Sequence, residues 1–245
     1  GTATHKYDER GQLRMTTDAT AFNSYFLYDK AGRKVADVNH YGDVVEYRFD
    51  AAGRVIATYR YTWNLAHGAT PAQIAALDDP DSVIDIATIR PADHKYDVLN
   101  WSIYDEAGRL IERIDGDGGV TLFSYDASDR LVKTVRHAIK LSPAQLLALR
   151  ITPPTALVTP TADARDVVSR SFYDRDGLLI GTLDGEGYLT ETVYDKAGQK
   201  IEEIAYAAKT SSAHWHAGSF EQLRSTAAPL SSANRRMPFV YDGQG

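Results

Sequence analysis

Tyr104-Asp105-Glu106-Ala107-Gly108-Arg109-Leu110-Ile111-Glu112-Arg113-Ile114-Asp115-Gly116-Asp117-Gly118-Gly119-Val120-Thr121-Leu122-Phe123-Ser124-Tyr125-Asp126 is the stretch from which the fold is read. Asp105 opens a turn, because an aspartate at the first position accepts a hydrogen bond from an amide two residues on. Gly108 closes it, because the fourth position takes positive φ without a Cβ clash, as in a type I turn with a G1 bulge. Arg109 to Ile114 then read as a strand, Asp115 to Gly118 as a second turn, and Val120 to Tyr125 as the returning strand. One unit is one β-hairpin, with a turn at each edge of an antiparallel ribbon.

The same frame recurs along the 245 residues. Tyr7-Asp8…Gly11, Tyr28-Asp29…Gly32, Tyr104-Asp105…Gly108, Tyr173-Asp174…Gly177, Tyr194-Asp195…Gly198 and Tyr241-Asp242…Gly245 are full copies. Phe49-Asp50…Gly53 and Tyr125-Asp126…Asp129 are degenerate ones, and Asp is among the residues tolerated at an αL site. Steps from 7 to 28, 28 to 49, 104 to 125 and 173 to 194 are each 21 residues, the mark of a repeat architecture. The second turn recurs at Asn39–Gly42 and Asp184–Gly187, more weakly at Asp18–Ala21. Residues two before the Tyr share its face, so Phe26 with Tyr28, Tyr47 with Phe49, Phe123 with Tyr125 and Phe239 with Tyr241 predict an aromatic rib, interrupted at Ser102, Ser171 and Thr192.

The longer steps hold three inserts, at about 61–95, 138–166 and 208–237. Each contains a capping box, with a hydroxyl at the cap and Gln three residues later: Thr70…Gln73, Ser142…Gln145 and Ser219…Gln222. Pro71 and Pro143 occupy the first helical position, where a missing N–H costs nothing. Short helices are predicted over 71–78, 143–150 and 219–225, with Ile74, Leu77, Leu146, Leu147, Leu149, Phe220 and Leu223 facing the sheet. Every insert replaces a second turn, so all three decorate one edge.

Composition sets the limits. Hydrophobic residues make up 43%, enough for a core, and 15 Tyr with 18 Gly favour strands and turns. A net charge of −6 without a Lys/Arg cluster gives no case for nucleic acid. Cysteine is absent, which removes disulfides and thiolate chemistry. No apolar run approaches a membrane span. The chain opens just before one repeat and stops at the turn of another, and is expected to be a single segment, 1–245, of a longer array.

These residues resemble the Rhs repeat, or YD repeat, with consensus Tyr-Asp-x-x-Gly-Arg-Leu, a strand, Asp-x-x-Gly and Thr-x-Tyr. Tyr104 to Leu110 and Thr121 to Asp126 carry it almost in full; Tyr28 to Arg33 and Thr190 to Asp195 also match. The resemblance covers about 150 residues and excludes the inserts. It implies a twisted, curved β-sheet shell or spiral, as in bacterial toxin complexes, polymorphic toxins and animal teneurins. It further implies a secreted or surface-bound bacterial scaffold, neighbouring repeats as partners, and an encapsulated toxin domain or a host-surface glycan or protein as the object held. Asp79-Pro80-Asp81-Ser82 lacks the Gly of the family's Asp-Pro-x-Gly core segment and lies in an insert, so no protease activity is assigned.

Sharper chemistry finds little support. His214-Trp215-His216 offers half a metal site without a third ligand. Asp115 to Gly119 lacks the glycine and glutamate of a calcium loop. Asn100-Trp101-Ser102 matches a glycosylation sequon inside a predicted strand. No nucleophile elbow, zinc helix or phosphate loop occurs. The expectation is therefore no enzyme, no cofactor and no metal. Trp63 and Trp215, in the inserts, are the candidates for stacking on a glycan or peptide. The repeated Tyr, Asp and Gly read as structure. The sequence thus predicts a mainly β, antiparallel ribbon of hairpins with three short helical inserts on one edge. Its expected role is that of a scaffold, with an adhesin module as the alternative.

Overall fold

A computed structural model describes residues 1–241; Asp242 and Gly245 of the last repeat lie outside the described residues. Two compact units divide the chain. The first comprises Gly1–Ala107 with Arg113–Gly118 and Leu141–Val158; the second comprises Gly108–Glu112, Gly119–Lys140 and the chain from Thr159 onward.

Fifteen strands, among the described residues, stand in the sheet in their order along the chain. They are β1 Thr4–Tyr7, β2 Leu13–Thr17, β3 Asn23–Tyr28, β4 Lys34–Val38, β5 Val44–Phe49, β6 Val55–Arg60, β7 Val98–Tyr104 and β8 Leu110–Ile114. β9 Val120–Tyr125, β10 Leu131–Arg136, β11 Val167–Tyr173, β12 Leu179–Leu183, β13 Leu189–Tyr194, β14 Lys200–Ala205 and β15 Arg235–Pro238 follow. The Tyr-Asp turns join β1 to β2, β3 to β4 and so on, always an odd strand to the next even one. Second turns and inserts join even to odd. The two kinds of corner therefore occupy opposite ends of the strands, as the 21-residue frame requires.

Local chemistry makes each corner. Gly11, Gly32, Gly53, Gly108, Gly177 and Gly198 all have φ between 76° and 87°, and Asp129 substitutes at 61°. The amide of Gly11 donates to Asp8 at 2.9 Å, and that of Asp129 to Asp126 at 3.1 Å. The strand register slips beside Tyr7, Tyr28, Phe49, Tyr173 and Tyr194, which is the expected bulge. Ala21 adopts φ 66° in the weak second turn, a left-handed residue that composition did not announce.

The inserts contain α1 Pro71–Ala75 and α2 Ile86–Ile89, then α3 Pro143–Ile151, then α4 Phe220–Thr226. Capping boxes at Thr70, Ser142 and Ser219 are complete in both directions. A 3-10 turn, Ala76–Asp78, continues α1 to the predicted end. The helix-face reading needs correction: Leu77 and Leu223 are buried, but Leu147 is 57% exposed and Ile74 36%. The helices bury little: α1 and α3 have no buried residue, α2 buries Ile86 and Ile89, α4 buries Leu223, and Leu77 is buried in the 3-10 turn after α1.

Packing is one-sided. In the first unit the cross-strand row Leu27, Ala36, Glu46, Tyr59, Leu99 is buried throughout, and Leu65, Leu77, Ile86 and Ile89 of the insert are buried too. In the second unit Phe172, Leu183, Leu189, Ile204, Tyr206, Leu223 and Ala227 form one cluster, with Trp215 and Phe220 against it. The aromatic rib lies on the alternate residues and is only half-buried. Cations cover it: Lys34 Nζ sits 5.4 Å from the Phe26 ring and 5.5 Å from Tyr47. The inserts cover the other residue set, so the rib is capped by cation–π contacts.

Candidate functional site

The recurring side chains form a stitched seam along the Tyr-Asp corners. Turn aspartates accept two amides on Oδ1: Asp8 from Arg10 (3.0 Å) and Gln12 (2.8 Å), Asp29 from Ala31 and Arg33, Asp126 from Ser128 and Arg130. Oδ2 then receives the arginine beside the turn glycine, in the pairs Arg33–Asp29, Arg54–Asp50 and Arg130–Asp126, each at 2.7 Å. The Arg54 amide, with the guanidinium, holds the Asp50 carboxyl below the usual range; the Arg130 amide does the same for Asp126.

The arginine also reaches forward. Arg33 Nη1 donates to the Asp50 carbonyl at 3.3 Å, Arg54 to that of Asp105 at 3.2 Å, and Arg109 to that of Asp126 at 3.4 Å. Its guanidinium lies over the next repeat's ring: Arg33 on Phe49 and Arg54 on Tyr104 at 4.8 Å, Arg109 on Tyr125 at 5.1 Å, Arg130 on Tyr173 at 4.0 Å. The tyrosine reaches back. Tyr28, Tyr125 and Tyr194 donate their hydroxyls to the carbonyls of Leu13, Leu110 and Leu179, fifteen residues earlier. Tyr104 and Tyr241 make the same bond to Val55 and Lys200. The arginine and the tyrosine of the frame therefore join one hairpin to its neighbour, while the aspartate side chain and the glycine close the turn itself.

A second device, which the sequence reading missed, fastens the inserts. Asp97, Asp166 and Asn234 each stand immediately before a strand. Their Oδ1 atoms accept the amides of Thr62 (2.7 Å), Ala138 (2.8 Å) and Ala207 (2.9 Å), so the end of each insert binds its beginning. The insert then leans on the second-turn glycine: Leu65, Leu141 and Thr210 amides donate to the carbonyls of Gly42, Gly118 and Gly187 at 2.8–2.9 Å. Aligning the inserts by their last residue, rather than by their helices, exposes this pattern.

Buried polar groups complete the fastening. Tyr61 donates to Glu46 at 2.6 Å, and Arg90 makes two bonds to the same carboxylate at 2.7 and 2.8 Å. Burial pushes the Glu46 carboxyl up, but Arg90 and Tyr61 outweigh it and hold it low; burial and Glu46 push the Tyr61 phenol up. In the third insert Tyr206 and Arg224 meet Glu191 in the same way, and burial with that carboxylate takes Tyr206 up to about 12. The second insert has Leu122 in the glutamate's place; there His137 pairs with Asp166 at 3.1 Å.

The two candidate tryptophans differ. Trp215 donates from Nε1 to Thr210 at 2.9 Å and lies on Gly187, where a Cβ would sit 2.2 Å from its ring, so it anchors the insert. Trp63 remains 37% exposed, within stacking distance of His67 (4.8 Å) and His94 (5.0 Å). His214 ends a 3-10 turn, and no cluster of three metal-ligating side chains occurs among the described residues. The Asp115 loop is a turn, closed by the Gly118 amide on the Asp115 carbonyl at 2.9 Å. Trp101, in the sequon, is buried within β7. No helix among the described residues is long and apolar enough to cross a membrane.

Residues 104–138 match the RHS Repeat family model. A comparison with curated proteins found no match. Among solved structures, the chain is similar to the crystal structure of TcdB2-TccC3-Cdc42, at 14% identity and a TM-score of 0.34, over 89% of this chain and 12% of that one. A structure of the Photorhabdus luminescens Tc holotoxin pore is similar at 15% identity and a TM-score of 0.33, over the same shares. This chain therefore spans about one eighth of the length of those chains.

Proposed function

We propose that this chain, which belongs to the RHS-repeat family through residues 104–138, is a wall segment of a large exported bacterial protein, containing or displaying another domain without chemistry of its own. The seam supports this reading. Its aspartates, arginines and tyrosines are engaged with backbone and with one another, and the same bonds recur from hairpin to hairpin. A rigid wall needs the joint between hairpins to be as strong as the hairpin itself, and side-chain stitches added to each β ladder supply that. Native-state hydrogen exchange tests it. Amides of β3 to β6 and β11 to β14 should exchange only by opening of the whole unit. Fast local opening of a single hairpin would remove the wall reading.

A module for glycan or peptide is the second reading, and Trp63 is what favours it, because Trp215 is engaged in holding its insert. A glycan-array signal lost on Trp63→Ala and kept on Trp215→Phe would replace the wall by an adhesin.

A further inference from the structure

Every insert leans back over strands that come before it in the chain. The first insert leaves the sheet after β6, yet its bonds reach as far back as β1. Lys6 Nζ donates to the Asp78 carbonyl at 3.2 Å, the Glu9 amide to Asp81 at 3.2 Å, Arg14 to the Ser82 carbonyl at 2.9 Å, and the Tyr25 hydroxyl to Asp78 at 2.8 Å. The first two of these bonds each span 72 positions. Arg90, close to the far end of the insert, pairs with Glu46 of β5 at 2.7 Å.

The other inserts lean the same way. Arg150 of α3 donates to the His94 carbonyl and to Asp97, each at 3.0 Å, both in chain already passed. In the second unit the third insert leaves after β14. Lys133 of β10 donates to the His216 carbonyl at 3.4 Å, and Arg170 of β11 to that of Gly218. The Phe220 ring lies on Gly181 of β12, where a Cβ would sit 2.4 Å from it, and Arg224 pairs with Glu191 of β13 at 2.9 Å. The surface that receives an insert is therefore complete before the insert itself is reached.

A pull on one end of such a unit meets a different structure from a pull on the other. Bonds loaded in series break one at a time, whereas bonds loaded side by side share the force, and forced unfolding runs at the rate at which the loaded group gives way. From the C-terminal side an insert is drawn off before the hairpins under it, so its anchors part singly. The bared hairpins then unzip in turn. From the N-terminal side β1 and β2 must lose their ladder and their bonds to Asp78, Asp81 and Ser82 together. The insert stays seated meanwhile through Arg90 and the buried Leu77, Ile86 and Ile89.

We propose that the inserts are one-way latches. Each unit closes from its N-terminal side as chain is delivered to it, because no insert waits for a strand still to come. A motor or channel that grips the C-terminal end takes the sheet apart more readily than one that grips the N-terminal end. The latches thus give the sheet a mechanical direction that its strand order alone, the same read from either end, does not supply.

The whole chain, carrying the same unstructured degradation tag at one end or the other, tests this with an ATP-driven unfoldase and protease. The C-terminally tagged chain should be consumed at least about threefold faster, the factor that one extra hydrogen bond in the loaded group supplies. The double variant Asp78→Ala with Asp81→Ala, at two exposed positions, removes the bonds from Glu9, Asn23 and Tyr25. It should speed the N-terminally tagged chain about threefold and the other much less, with Tm showing that it folds. Should that pair not fold, optical tweezers on the unaltered chain, held by its two ends, should release the third insert before β1 and β2. Equal rates from the two ends, a faster N-terminal tag, a variant that speeds both tags alike, or first release of β1 and β2 overturns the proposal.

Discussion

The phenol of Tyr104 donates to the carbonyl of Val55 at 3.1 Å, although 49 positions and a whole helical insert separate the two residues along the chain. Tyr125 makes the equivalent bond to Leu110 across only fifteen positions. The seam is thus indifferent to what the chain does between hairpins. Tyr104→Phe removes the bond and keeps the ring under Arg54, so it should cost about 1 kcal/mol in urea unfolding, as should Tyr125→Phe. A cost near zero in both would show that the hydroxyl is not a structural stitch.

Glycine positions separate strain from collision. Gly53 has φ 80° with nothing within 4 Å of a built Cβ, so Gly53→Ala meets backbone strain alone, about 1 kcal/mol. Gly187 has φ 92° and a Cβ there would lie 2.2 Å from the Trp215 ring. Gly187→Ala should cost clearly more and quench or shift Trp215 fluorescence. Gly108→Val, at φ 85°, should cost more than about 1 kcal/mol. Equal midpoints for all three variants and the parent would refute the turn assignment.

Acid should loosen the first insert. Arg90 and Tyr61, against the opposing effect of burial, hold Glu46 below its ordinary value of 4.5, so this carboxylate contributes stability fully present above that pH and lost as pH falls through its folded value. Glu46→Gln should cost about 3 kcal/mol at neutral pH, because it leaves Arg90 without its counter-charge. The variant should also show a flatter loss of stability below pH 4.5 than the parent. An unchanged acid limb would mean that other carboxylates govern it.

The clasps can be opened one at a time. Asp97→Ala, Asp166→Ala and Asn234→Ala each strand a backbone amide, at about 1–3 kcal/mol. Limited proteolysis of the Asp166 and Asn234 variants should then cut within the corresponding insert first, whereas Asp97→Ala also releases Arg150 of α3 and should open the first and second inserts together. Cleavage spread over all three inserts would argue against separate fastenings.

The frame was legible because Asp and Gly act through their own backbone neighbours, so a turn can be read from four residues and a period from their spacing. Pro71, Pro143 and the three capping boxes are local in the same sense, and α1, α3 and α4 start where they indicate. What stayed hidden depends on chain far away. The Asp97 clasp joins positions 35 apart, the Glu46–Arg90 pair 44 apart, and each uses residues that otherwise read as ordinary surface charge. Helix α2 spans four residues, too few for any period to show. Leu147 is exposed because α3 buries none of its residues and only half-buries Leu146 and Leu149, which depends on how the insert lies and not on the helical period.

The paired fastenings at Thr62 with Asp97, Ala138 with Asp166 and Ala207 with Asn234 turn whatever lies between them into an interchangeable cassette. Ring-closing entropy rises only slowly with length, so a cassette can be lengthened, shortened or rewritten while its two end residues still meet. A foreign sequence grafted there should be tolerated by the β framework where the insert residues that pack on it are kept, such as Leu77, Ile89 and Arg90 in the first and Trp215 and Leu223 in the third, so surface diversity can accumulate in the exposed remainder.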